Sequence, residues 1–140
     1  MEKKQILVID NSGLSYIGSD INGPILRGTE TSLILLSEEL TKKNCDVFFA
    51  NKTNQEKSVN GVHYINEKNI NKEKTYDLAI AVSNANLFNK IKSVKKAIFS
   101  VSNQSLEKFL RKRQFISTYT HKPVIVTLCD YQFKKRSFLT

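Results

Sequence analysis

Short apolar runs separated by polar segments constrain the fold of this chain more than any other feature of its sequence. Apolar residues occupy these runs without the polar alternation of a half-exposed strand, which is typical of strands buried on both faces of a sheet. Strands of this kind that alternate with helices predict an α/β domain with a mostly parallel sheet, a Rossmann-like three-layer arrangement. The runs are QILVID (5–10), DVFFA (46–50), GVHYI (61–65), DLAIAV (77–82), KAIFSV (96–101) and PVIVTL (123–128).

Helical spacing of leucines predicts the first helix over Thr31–Lys43, and Asn44 after it suits a left-handed helix cap. The acidic Glu30 near its start and the lysines at its end match the helix dipole. Further helices are predicted over Asn86–Lys92 and Ser105–Gln114, and polar loops over Asn11–Gly28, Asn51–Asn60 and Asn66–Thr75.

The segment GPILRGTE (23–30) joins the first strand and its loop to this helix. Its glycines allow backbone N–H groups to approach a ligand closely, and the helix start directs a positive dipole end toward anions. In parallel sheets ligands bind beyond the carboxyl ends of the strands. The sequence therefore predicts a nucleotide- or phosphate-binding loop formed by Arg27, Gly28, Thr29 and Glu30.

Length and composition indicate one ordinary globular domain. The chain has 140 residues, of which 40% are hydrophobic and 25% charged. The two cysteines, Cys45 and Cys129, form no CxxC pair, and no apolar run has the length of a secretory signal or a transmembrane helix. We therefore expect reduced thiols and a cytoplasmic protein.

The net charge of +9 is spread unevenly along the chain. Residues 1–70 hold 8 Lys and Arg against 9 Asp and Glu, whereas residues 71–140 hold 14 against 4. This asymmetry indicates a polyanionic neighbour for the second half, either nucleic acid or an anionic membrane surface. A solvated lysine-rich face explains it equally well.

Several functions of α/β domains lack their motifs here. No GxGxxG follows the first strand directly, and neither a P-loop nor a GxSxG nucleophile elbow occurs. Asp10 has no adjacent acidic partner of the kind that a phospho-receiver needs. His63 and His121 are far apart without further ligands at metal spacing, so we expect a strand residue and a loop residue respectively, and neither a metal nor a cofactor.

Four stretches in this order resemble family 4 glycosyltransferases. Gly28-Thr-Glu30 followed by TSLILLSEELTKKNCDVFFAN is similar to their glycine-x-glutamate loop, first helix and second strand. Asn60–Ile65 (NGVHYI), Tyr76–Ala81 (YDLAIA) and Lys122–Leu128 (KPVIVTL) are similar to three of their later strands. Together the stretches span most of the chain.

The resemblance implies the N-terminal, acceptor-side domain of a GT-B glycosyltransferase. Such an enzyme transfers a sugar from a nucleotide-sugar to a glycan or lipid-linked acceptor in cell-envelope polysaccharide synthesis, and a C-terminal domain mainly holds the donor. The glycine-x-glutamate loop would approach the donor phosphates or the acceptor, and Asn103 and Asp130 would lie at the sheet edge. Many family members carry a histidine where this chain has Cys129, so the catalytic residues stay unassigned.

Basic segments at Lys108–Arg113 and Lys134–Arg136 are consistent with peripheral contact between such a domain and the inner face of an anionic membrane. The chain ends at Thr140, before the expected C-terminal domain, which suggests a fragment, a truncated gene product or one half of a split enzyme. The alternative function is a non-catalytic Rossmann-like module whose basic face binds nucleic acid.

Overall fold

The computed structural model of the chain describes residues 2–24, 26–99 and 112–126, and of residues 112–115 the backbone alone. Within these ranges the chain forms an α/β fold around a seven-stranded sheet. The strands are β1 Lys4–Ile9, β2 Cys45–Asn51, β3 Lys57–Val59, β4 Val62–Asn66, β5 Thr75–Val82, β6 Lys92–Phe99 and β7 Val124–Val126. The α-helices are α1 Gly28–Lys42 and α2 Lys112–His121, and short 3₁₀ helices cover Gly18–Asn22, Glu67–Asn69 and Ala85–Lys90.

The strands lie in the order β3-β4-β2-β1-β5-β6-β7. Every neighbouring pair is parallel except β3 and β4. Without β3, the six parallel strands follow the chain order 3-2-1-4-5-6, which is the order of doubly wound dinucleotide-binding folds. The predicted α/β fold with a mostly parallel sheet is confirmed, and its strand order is compatible with a Rossmann-like fold.

The central strand β1 shows why the apolar runs form buried strands. Successive side chains of a strand point to opposite faces of the sheet. Ile6 and Val8 join the core beneath α1, whereas Leu7 and Ile9 join the apolar clusters on the other face. All four side chains are at most 4% exposed, so this strand is covered on both sides.

Helix α1 begins three residues before the predicted Thr31 and buries Leu33 and Ile34 against the sheet. It ends at Lys42, after which Asn44 has a φ of 61°. The predicted left-handed cap is therefore confirmed.

The segment 51–60, predicted as a loop, contains the edge strand β3. Asn60 and Gly61 have φ values of 50° and 84° and turn the chain into an antiparallel hairpin with β4. Positive φ at both central positions is the geometry of a two-residue hairpin turn, which Asn-Gly adopts readily.

The long segment between β1 and α1 packs on the core. Tyr16 and Ile17 are 2% and 3% exposed and join the cluster beneath α1. The 3₁₀ helix Gly18–Asn22 follows them and brings Gly18 against Tyr64, where a Cβ atom would lie 2.9 Å from the tyrosine hydroxyl.

Some boundaries in the second half differ from the predictions. The helix predicted over Asn86–Lys92 is the 3₁₀ helix Ala85–Lys90, and β6 begins at Lys92. His121, predicted in a loop, is the last residue of α2. Several predicted features lie outside the described residues: the edge residues Asn103 and Asp130, Cys129, and the basic segment Lys134–Arg136. The same holds for the predicted helix Ser105–Gln114 and the basic segment Lys108–Arg113, of which the structure describes only the backbone from residue 112 onward.

Candidate functional site

The carboxyl ends of the parallel strands meet at one edge of the sheet, and the strand order reverses at β1. Strand β2 lies on one side of β1 and β5 on the other. Ligands of open α/β sheets bind at this reversal, outside the carboxyl ends of the strands. The segments that leave β1 and β5 therefore form the candidate functional site.

The predicted binding loop forms the first turn of α1. The buried Glu30 carboxylate accepts hydrogen bonds from the Arg27 backbone N–H at 3.0 Å and from the Arg27 guanidinium at 3.1 Å. These bonds use one carboxylate oxygen each and place a negative charge at the positive end of the helix dipole. Glu30 thus stabilises the start of α1, while the Arg27 side chain remains 72% exposed.

Gly28 and Thr29 occupy the open side of this turn. Gly28 is exposed, and a Cβ atom added to it would meet no heavy atom within 4 Å. Thr29 is half-buried. The structure therefore brings Arg27, Gly28 and Thr29 together at an accessible helix start, and nothing within the described chain requires a glycine at this position.

A buried polar network closes the edge beside this helix start. The Tyr16 hydroxyl donates a hydrogen bond of 2.5 Å to the carboxylate of Asp10, and the Ser12 backbone N–H donates to the other Asp10 oxygen at 2.9 Å. Burial, together with the charge and hydrogen bond of Asp10, raises the pKa of Tyr16 well above its ordinary range. Asp10 is 2% exposed and serves to fix the loop that follows β1.

Asn51 extends this network from the end of β2. It is fully buried, donates to the Tyr16 carbonyl at 2.8 Å and accepts from the Thr53 N–H at 2.7 Å. Sequence reasoning did not single out Asn51 or Tyr16. The signal was present, since a polar side chain directly after an apolar strand often bonds to the backbone of the following turn.

The opposite face of the sheet carries a cleft of about 480 Å³ that begins at the carboxyl end of β1. The connection between β4 and β5 contains one 3₁₀ turn and no α-helix. The aliphatic residues that line the cleft are Ile9, Ile70, Leu87 and Ile91. The polar lining residues are Asn11, Glu67, Lys68, Lys72, Asn86, Asn89 and Lys90.

The charges around this cleft are unbalanced. Lys68, Lys72 and Lys90 are exposed and form no ion pair with any residue that the structure describes. Glu67, the acidic lining residue, is already paired with Lys52. Uncompensated cations around a concave surface with an apolar lining attract anions more strongly than isolated surface lysines do.

A hydrogen-bond chain between α2 and the 3₁₀ helix Ala85–Lys90 holds one wall of the cleft. His121 bonds to the Asn89 amide oxygen at 2.7 Å, Asn89 donates to Ser117 at 3.2 Å, and Ser117 donates to the Asn86 oxygen at 2.6 Å. Burial and the Lys96 charge lower the pKa of His121, which favours the neutral ring. The amide nitrogen of Asn86 is left without a partner among the described residues.

His63 lies on β4, as predicted, and contributes to a second polar cluster away from the cleft. The Ser58 hydroxyl lies 2.7 Å from His63 Nδ1, and His63 Nε2 lies 3.1 Å from an Asp46 oxygen. A carboxylate only accepts, so Nε2 carries a proton and donates it to Asp46. Partial burial alone would raise the pKa of Asp46, but hydrogen bonds from Gln5 and His63 outweigh it and lower this pKa. The cluster ties the edge strand β3 to β4 and β2.

Other features of the described ranges bear on metals and membranes. No group of three His, Cys, Asp or Glu side chains in these ranges is arranged to hold a metal ion. None of the helices within them has the length and hydropathy needed to cross a membrane.

Comparison of the chain with protein-family models, with curated proteins and with solved structures gave no match.

Proposed function

We propose that this chain is the N-terminal, acceptor-side domain of a family 4 glycosyltransferase with the GT-B architecture. Its role is to bind a glycan or lipid-linked acceptor that receives a sugar from a nucleotide-sugar in cell-envelope polysaccharide synthesis. A second domain, in the same chain or in a partner, holds most of the donor. The reaction needs no metal or cofactor from this domain.

The main support is the coincidence of the resembling stretches with matching elements of the fold. Gly28-Thr-Glu30 opens α1, Asn60–Ile65 leads into β4, and Tyr76–Ala81 lies within β5. The described part of Lys122–Leu128 contains β7. The parallel strands also follow the order of a doubly wound domain, and a cleft begins at the strand where this order reverses.

In this proposal the carboxyl edge of the sheet faces the donor domain. Arg27 provides an accessible cation at the start of α1, and the open side of Gly28 leaves room for a phosphate or a hydroxyl group. Asn103 and Asp130 remain proposed edge residues. Peripheral contact of the basic segments with the inner face of an anionic membrane is a further part of the proposal, and flotation with anionic vesicles at low salt tests it.

A second domain holds most of the donor, but the proposal places the donor phosphates against the start of α1, so nucleotide binding there provides a test of the proposal. We expect nucleoside diphosphates and nucleotide-sugars to raise the melting temperature of the chain. At a ligand concentration of ten times the dissociation constant, the free energy of unfolding should increase by about 1.4 kcal/mol. Arg27→Ala should weaken this effect. Lys42→Ala, which removes a cation from an exposed ion pair at the other end of α1, is the matched control.

The competing function is a nucleic-acid-binding module, and the unpaired lysines of the cleft favour it. Such a module would bind single- or double-stranded polynucleotides with an affinity that falls steeply with salt. Polynucleotide binding of this kind without any response to nucleotide-sugars would refute the glycosyltransferase proposal. A response to nucleotide-sugars with indifference to polynucleotides would support it.

A further inference from the structure

The lining of the cleft combines two kinds of surface that a single ligand must match. The half-buried side chains of Ile70, Leu87 and Ile91 provide apolar contact area, and three lysines provide ammonium groups with no carboxylate partner among the described residues. None of the lining residues that the structure describes is aromatic. An aliphatic surface of this kind suits a hydrocarbon chain better than a nucleobase, because bases are commonly bound by stacking on aromatic side chains.

The charge of the cleft indicates the polar part of the ligand. One carboxylate would neutralise one of Lys68, Lys72 and Lys90, whereas a diphosphate carries enough negative charge and acceptor oxygens for all three. Asn86 adds a hydrogen-bond donor, since its oxygen is held by the buried Ser117 and its nitrogen has no partner in the described chain. The cleft volume of about 480 Å³ is in the usual range for small-molecule sites.

We infer that the cleft binds a diphosphate attached to an aliphatic chain. The lysines and Asn86 contact the diphosphate, and Ile70, Leu87 and Ile91 contact the first units of the chain. This inference rests on the proposed function for its biological meaning, in which the ligand is the diphosphate end of a lipid-linked acceptor. It narrows the acceptor from glycans in general to anionic, lipid-linked ones.

Binding measurements with three matched probes test the inference. The probes are a short isoprenyl diphosphate, inorganic diphosphate and the corresponding isoprenyl alcohol, all kept below the concentration at which the first forms micelles. We expect the isoprenyl diphosphate to bind the tightest, because only it engages both surfaces. Equal affinity for inorganic diphosphate would show that the aliphatic lining contributes nothing, and would overturn the inference.

Charge-removing variants locate the site. Lys68→Gln, Lys72→Gln and Lys90→Gln should each weaken binding of the isoprenyl diphosphate by about two- to fivefold, the range for partly exposed ion pairs. Lys57→Gln on β3 is the matched control, since it removes an exposed and unpaired lysine that does not line the cleft. Weakening by the control as large as that by the cleft variants would overturn the assignment to the cleft.

The outcomes separate this inference from the proposed function. Stabilisation by nucleotide-sugars without binding of the isoprenyl diphosphate would leave the glycosyltransferase proposal standing and refute the lipid-linked acceptor. Lysine-dependent binding of the isoprenyl diphosphate without any response to nucleotide-sugars would support the cleft and count against the glycosyltransferase. Tighter binding of a polynucleotide than of the isoprenyl diphosphate, lost in the same variants, would assign the cleft to nucleic acid and overturn the inference.

Discussion

The contact between Gly18 and Tyr64 gives a sharp prediction of how the loop after β1 is held. The Tyr64 side chain is 1% exposed and stacks on Phe49 with ring centroids 5.3 Å apart, so the ring has little freedom to move. Its hydroxyl is buried without a hydrogen-bond partner in the described chain. A Cβ atom on residue 18 would lie 2.9 Å from this hydroxyl and 3.1 Å from Val59.

Two substitutions should therefore change stability in opposite directions. Gly18→Ala should lower the free energy of unfolding by about 1–3 kcal/mol, as expected for overpacking in a core. Tyr64→Phe should raise it by about 1 kcal/mol, because it removes a buried polar group that makes no hydrogen bond. In the double variant the closest contact disappears, so Gly18→Ala should be less destabilising there, with a coupling energy of about 1 kcal/mol.

Urea unfolding of the four proteins measures this cycle. At this chain length each kcal/mol corresponds to about 3–4 °C in melting temperature, so thermal scans provide a second readout. Tyr76→Phe is the matched control, because Tyr76 is also 2% exposed but its hydroxyl is not an enclosed, unpartnered oxygen. A clear loss of stability in Tyr64→Phe would refute the reasoning, since it would mean that a buried water or another partner satisfies the hydroxyl.

Three further predictions concern the residues that hold the fold. The pKa of Tyr16 is raised above its ordinary value of 10.0, so the phenol of the unfolded chain ionises first as the pH increases. The free energy of unfolding should therefore fall above about pH 10. Urea midpoints measured from pH 8 to 11 test this, and they should fall less steeply in Tyr16→Phe. Gly61→Ala should cost about 1–2 kcal/mol, because φ is +84° and the new Cβ would lie 3.3 Å from Thr41; an unchanged midpoint would contradict the hairpin geometry. Asp10→Ala should cost about 1–3 kcal/mol, because it leaves the Tyr16 hydroxyl and the Ser12 N–H unpaired. Asp20→Ala should cost less, because the exposed Asp20 carboxylate accepts a single hydrogen bond from the described residues, from the Ile17 N–H.

Local signals in the sequence were sufficient for the elements that carry the sheet. Apolar runs located β1, β2, β4 and β5 to within one or two residues, because burial on both faces leaves few other ways to place such a run. The helical spacing of leucines located α1, and Asn44 marked its end because a short polar side chain tolerates the left-handed conformation. The first helical turn was missed because it contains Gly28 and precedes the apolar spacing.

Features that depend on tertiary contacts were less accessible. Strand β3 is only three residues long, and two of its residues are exposed and polar. The clearest signal for it in the sequence is the Asn60-Gly61 dipeptide, which strongly favours a hairpin turn. The burial of Tyr16 depends on Asp10 and Asn51, whose positions are known only once the strands are paired. His121 ends a helix that is hydrogen-bonded to the wall of the cleft. The bonds of Asn89 with Ser117 and His121 span sequence separations of 28 and 32 residues, which no local pattern reveals.

The candidate site was predicted in part, since reasoning from parallel strands indicated the carboxyl edge but favoured the start of α1. The β4–β5 connection was predicted as a loop, but the cleft could not be foreseen, because its lining comes from three segments that are brought together only by the folded sheet. The lysine-rich connection itself was visible in the sequence. What was missing was its position opposite the 3₁₀ helix that follows β5.

The two sides of the carboxyl edge differ in how their charges are satisfied, and this difference separates stability from binding. Asp10 and Glu30 are buried carboxylates, so each must have its oxygens paired within the chain, and both do. An exposed ammonium group such as that of Lys90 is hydrated by water and needs no internal partner. Substitution of Asp10 or Glu30 should therefore lower the unfolding midpoint, whereas Lys90→Gln should leave it within about 0.5 kcal/mol and alter only anion binding. A large loss of stability in Lys90→Gln would mean that this lysine stabilises the fold, and would contradict a role confined to anion binding.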